Sequence, residues 1–103
     1  MIFSALFGNI NKGMEEYHAA AGAILIDVRK VDEFASGHIP DAVNVPLSII
    51  ESADLPMGWP LFLYCLRGSR SKRAAGILAR KGYTQVKSID GIASYKGKIV
   101  SGK

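Results

Sequence analysis

Cysteine is nearly absent from this chain: Cys65 is the only one among 103 residues. That excludes an internal disulfide and a Cys-x-x-Cys redox pair. Histidine is almost as scarce. His18 and His38 stand alone, no Cys/His cluster has zinc spacing, and each is read as structural. Aromatic residues, 9% of the chain, do not interleave with the basic ones as a single-stranded nucleic-acid platform requires. The opening "MIFSALFGNINKG" has a short apolar run, but no basic region precedes it and no small-residue cleavage site follows. It reads as neither a signal peptide nor a membrane span. Repeats, low-complexity tracts and linkers are missing too. The expectation is one cytoplasmic domain over residues 1–103, with a reduced thiol and with neither membrane nor nucleic acid as partner.

What is present suits a folded protein: 49% hydrophobic and 21% charged residues allow both a core and a solvated surface. The net charge of +4 is too modest to specify a partner, but its distribution is uneven. Arg67, Arg70, Lys72, Arg73, Arg80 and Lys81 all follow closely on Cys65. An anionic ligand beside the cysteine is the economical reading.

The apolar pattern alternates between two kinds of segment. Residues 14–21 read as a helix that Gly22 stops, and residues 23–28 as a buried strand breaking at Asp27. A short helix ending at Gly37 follows, then a small strand over 42–46 and a helical turn, "LSIIES". Residues 60–65 form the next apolar strand. Beyond Cys65, Ala74, Ala75, Ile77 and Leu78 recur at helical spacing, with Gly82 closing that helix. Residues 83–89 read as a fourth strand, "DGIASYKG" as a turn and short helix, and the end as a polar tail. Strands alternating with helices predict an α/β fold with a small, mostly parallel sheet covered on both faces. Ligands of such sheets sit beyond the carboxyl ends of the strands, where Cys65 falls.

A free cysteine is commonly inert core filler. Here it stands between a strand and a helix, in a loop with a glycine, an arrangement that gathers backbone N–H groups into one concavity. A thiol in such a field ionises more readily, and no His, Asp or Glu in the loop is available as a base. Gly68 is expected to supply a positive φ or a close backbone approach, and Ser71 to cap the helix or donate to a bound anion.

The loop "CLRGSRS" (65–71) resembles the active-site loop of the rhodanese sulfurtransferases, with glycine three positions after the cysteine and a polar sixth residue. Upstream, "LIDVRKVDEFASGHIPDAVNVP" (25–46) resembles that family's second hallmark. The likeness runs from about Ala23 to Tyr95 and departs at Leu66, often arginine in the family, and at "DGIASY", where paired glycines and a tryptophan are usual. It implies a three-layer rhodanese-like fold and a thiosulfate sulfurtransferase that works through a Cys65 persulfide, with no metal or cofactor. The donor would be a small anion, thiosulfate or a persulfide; the acceptor would be cyanide or a thiol, with a sulfur-relay protein as a further partner. The resemblance places substrate binding on Leu66, Arg67, Gly68, Ser69, Arg70 and Ser71. Asp27 would bond loop amides, Arg29 and Glu33 would pair at i,i+4, and His38 would anchor the turn after Gly37.

Two other readings stay open. Phosphatases and arsenate reductase-like enzymes of the same fold place five residues between cysteine and arginine, so that the arginine clamps the oxyanion. Four separate Cys65 from Arg70, and Ser71 holds the position where arginine would stand. A binding module without catalysis is the third reading.

Overall fold

The computed structural model describes residues 9–103, so most of the apolar start lies outside the described residues. Helix α1 runs Ile10–Ala19, four residues ahead of its expected start. Asn9 caps it, its side-chain oxygen accepting the Lys12 amide at 3.2 Å. Within it, a Cβ on Gly13 would lie 2.4 Å from Ile89 Cβ. It is a contact glycine that lets α1 press onto the sheet. The helix ends at Ala19, and Gly22 (φ +75°) lies in the turn beyond.

Four strands follow: β1 (Ile24–Asp27), β2 (Val43–Asn44), β3 (Leu61–Cys65) and β4 (Val86–Gly91). They form one parallel sheet in the order β2-β1-β3-β4. Helix α2 (Val31–Ser36) and a 3₁₀ helix (Leu47–Ser52) lie among the connections, and α3 (Ser69–Arg80) links β3 to β4. All five residues of β3 are buried, as expected for an inner strand covered on both faces.

Side-chain alternation then divides the core. Leu25, Phe62, Tyr64 and Ile89 meet Ile10 and Met14 of α1 on one face. Ile26, Val28, Leu61, Leu63 and Cys65 meet Ile50, Ala74 and Leu78 on the face covered by α3 and the 3₁₀ helix. Burying a Leu78-sized side chain contributes roughly 1.5–3 kcal/mol. The expected three-layer α/β architecture is therefore present.

Two expectations at the C-terminal half need correction. Strand β4 begins at Val86, not at residue 83, because Tyr83 turns its ring into the core from a loop and its hydroxyl bonds both N–H and C=O of Leu55. The tail is also more than polar solvent-facing chain. Val100 exchanges backbone hydrogen bonds with His38 (2.7 and 2.9 Å), and the Gly102 amide donates to Ala35 O.

Candidate active site

In the order β2-β1-β3-β4, the chain leaves β1 toward one edge of the sheet and leaves β3 toward the other. This creates a crevice beyond the carboxyl ends of β1 and β3, the usual ligand position in open α/β sheets. Asp27 ends β1 and Cys65 ends β3.

Cys65 is 1% exposed. Its Sγ accepts the amides of Gly68 at 3.0 Å and Ser71 at 3.3 Å, and the Ser71 Oγ lies 3.6 Å away. Gly68 makes this fold-back possible. It holds φ +110°, a left-handed conformation that side chains resist. Helix α3 starts at Ser69, so its first turn adds partial positive charge around the sulfur. The amides of Ser69 and Arg70 in that turn have no backbone acceptor among the described residues. Two amides are thus aimed at one sulfur at the start of a helix.

Ser71 is not the helix cap, a correction to the sequence reading. Gly68 occupies that position and Ser71 is the third helical residue, fully buried. From there its hydroxyl reaches Gly68 O (3.1 Å) and Ser88 Oγ (2.7 Å), tying the loop to β4.

Strand β4 supports the loop in ways that no local pattern announces. Leu63 pairs with Ser88 but Cys65 with Gly91, so β4 carries an extra residue opposite the end of β3. Asp90 sits in this bulge at φ +80°, and its carboxylate accepts the Asn9 amide at 3.0 Å. At Gly91 a Cβ would lie 2.1 Å from Leu66 O and 2.5 Å from Arg67 Cα. The glycine therefore lets the loop cross directly over the strand. Ser88, Asp90 and Gly91 were not among the expected site residues; the visible signal was a glycine two residues past the strand-like run.

The upstream residues form a frame. The Asp27 carboxylate accepts the backbone amide of Arg29 at 2.9 Å, and the Arg29 guanidinium grips the same carboxylate, with Nη2 at 2.7 Å. Nη2 also donates to Gly37 O at 2.6 Å. The expected Arg29–Glu33 pair does not form. Helix α2 starts only at Val31, so Arg29 precedes it and i,i+4 geometry never applies. Asp27 likewise bonds the amide of its own loop and none of the cysteine loop. His38 follows Gly37; its Nδ1 lies 2.8 Å from Phe34 O, and the ring stacks on Phe34 at 3.6 Å between centroids.

Glu33 reaches across to the loop and binds Arg70 through both oxygens, at 2.7 and 3.1 Å. The Arg70 guanidinium holds the Glu33 carboxyl well below its ordinary value of 4.5, down at about 2. A depressed carboxylate contributes stability that is complete above its unfolded pKa and disappears as pH falls through the folded one. In urea unfolding, wild type should exceed Glu33→Gln by about 1 kcal/mol or less, since the pair is partly exposed. That gap should be full above a pH of about 4.5 and closed near 2. A gap that stays constant through this window would show the pair contributes nothing.

The two loop arginines serve different places. Arg70 and Lys30 line one cavity of about 420 Å³, whereas the exposed Arg67 lines another of about 190 Å³ with Leu66, Asp90 and Ser94. Among the described residues, no three His, Cys, Asp or Glu side chains converge as a metal-holding group, and no helix is long and apolar enough to cross a membrane.

Comparison with known proteins adds an independent line. A family profile described as "Rhodanese-like domain" matches residues 9–96. The thiosulfate sulfurtransferase GlpE of Pseudomonas savastanoi pv. phaseolicola is 38% identical over 90 residues, covering 79% of this chain and 83% of that protein. The uncharacterized protein YqhL of Bacillus subtilis is 38% identical over 100 residues, covering 91% of this chain and 79% of that one. Among solved structures, a rhodanese with anions from E. coli superposes with a TM-score of 0.70 at 28% identity, covering 78% of this chain and 99% of the other.

Proposed function

The chain belongs to the rhodanese-like domain family, and from that premise we propose that it is a sulfurtransferase whose nucleophile is Cys65. The observation that carries this reading is the sulfur at the floor of a short loop, accepting the amides of Gly68 and Ser71.

The chemistry follows from that placement. The Cys65 thiolate attacks the outer sulfur of thiosulfate, the bond to the sulfonate breaks, and sulfite leaves with the bonding pair. Cys65 then carries the outer sulfur as a persulfide anion, held beside the loop whose amides face Sγ. After protonation from solvent, a thiolate or cyanide attacks that outer sulfur, and the electron pair returns to Sγ. Each half-reaction balances without an external oxidant or a metal.

A phosphatase reading has less support. Ser71 is buried at the position where arginine would clamp phosphate, and Arg70 stands one residue too early for that clamp. The cytoplasmic setting expected from the single free thiol accords with this chemistry, which needs a reduced sulfur.

Intact mass spectrometry after incubation with thiosulfate tests the proposal. The expected result is a gain of one sulfur that reductant removes; its absence would overturn the reading. Arg70→Ala should raise KM for thiosulfate about tenfold, the scale of a charge-assisted contact. A neutral alkyl persulfide donor should be affected far less. Equal losses with both donors would mean that Arg70 maintains loop shape and does not recognise charge.

A further inference from the structure

The cavity of about 420 Å³ beside the loop is too large for thiosulfate or cyanide, because pockets of roughly 300 Å³ and above suit drug-sized ligands. Its lining is divided. Val28, Leu47 and Ile77 supply apolar surface, while Lys30, Arg70 and Arg73 bring cations and no carboxylate lines it. Arg70 is engaged by Glu33, but among the described residues neither Lys30 nor Arg73 lies within salt-bridge distance of a carboxylate. Val28 packs in the same core cluster as Cys65, and Arg70 follows the loop directly, so the cavity lies on the sulfur's own face of the sheet.

We infer that this cavity is the acceptor subsite, built for an organic thiol with an apolar stem and an anionic end group. The assignment rests on the sulfurtransferase reading and names the class of molecule that takes the sulfur. The stem would lie along Val28, Leu47 and Ile77, and the carboxylate or phosphate would meet Lys30 and Arg73. The acceptor thiolate attacks the outer sulfur of Cys65-S-SH and the bond from Sγ breaks. Its electron pair remains on Sγ as thiolate, and the acceptor departs as RS-SH.

Three acceptors with one stem test this: mercaptohexanol, mercaptohexanoic acid and mercaptohexyl phosphate. KM should fall in that order, by about tenfold between the ends, the scale of two partly exposed charge contacts. The Lys30→Ala/Arg73→Ala double variant should lose this order. A binding arm is independent of turnover. Sulfur-free hexyl phosphate, titrated calorimetrically into Cys65→Ser protein, should bind about tenfold more weakly once Lys30 and Arg73 are also replaced. Transfer with no charge order and no hexyl phosphate binding would overturn the subsite alone. Hexyl phosphate binding without any sulfur transfer would overturn the acceptor role together with the sulfurtransferase reading.

Discussion

Replacing Cys65 with serine should reduce sulfur transfer by at least about a thousandfold, as expected when the group forming the covalent intermediate is removed. The alcohol is a far weaker nucleophile toward sulfur and cannot form a persulfide. The fold should survive. A serine hydroxyl can still accept from the Gly68 and Ser71 amides, so these donors are not left unsatisfied in a buried site. Stability should therefore change by only about 1–2 kcal/mol. Two measurements on one sample decide the matter: the thiosulfate-dependent mass gain and the release of sulfite. Continued sulfite release by Cys65→Ser would remove Cys65 from the mechanism.

The second large effect concerns the frame. Arg29→Met should lower the unfolding free energy by about 3–5 kcal/mol, because it strands the Asp27 carboxylate without its cation. Asp27 is fully buried and the Arg29 side chain nearly so, which leaves water little access to compensate. Such a loss is a large part of the roughly 5–15 kcal/mol that holds a small domain together. Adding Asp27→Asn to Arg29→Met should restore about 2 kcal/mol. Asparagine removes the orphan charge, while its side-chain oxygen can still accept the residue-29 amide. Urea unfolding of both variants near neutral pH measures the difference. If the double variant is no more stable than the single one, the cost arises from lost packing of the arginine stem and not from the stranded charge.

Much of the fold was legible because parallel strands announce themselves locally. The run before Cys65 is apolar at every position, and β3 is buried at every position. The same holds for the loop: the cysteine at a strand end, the glycine three residues on and the helical periodicity that follows are all local signals. Helix α1 was misplaced for an equally specific reason. Its first turn holds Gly13, a poor helix former, and only the approach of Ile89 explains why a glycine sits there.

Side-chain partnership was a different matter. Arg29 and Glu33 have pairing spacing, yet each found another partner: Asp27 two residues back and Arg70 thirty-seven residues on. Spacing predicts contact only when both residues belong to one helix, and the helix began two residues too late. The sequence alone thus determined the parallel α/β architecture and a lone cysteine in a glycine-bearing loop at a strand's carboxyl end. Tertiary structure decided that Ser71 points at Ser88, that Gly91 passes beneath the loop and that Glu33 holds Arg70. Those contacts depend on strand order and on the bulge in β4. Both arise from chain segments that meet only after the crossovers have formed, so no local run of residues encodes them.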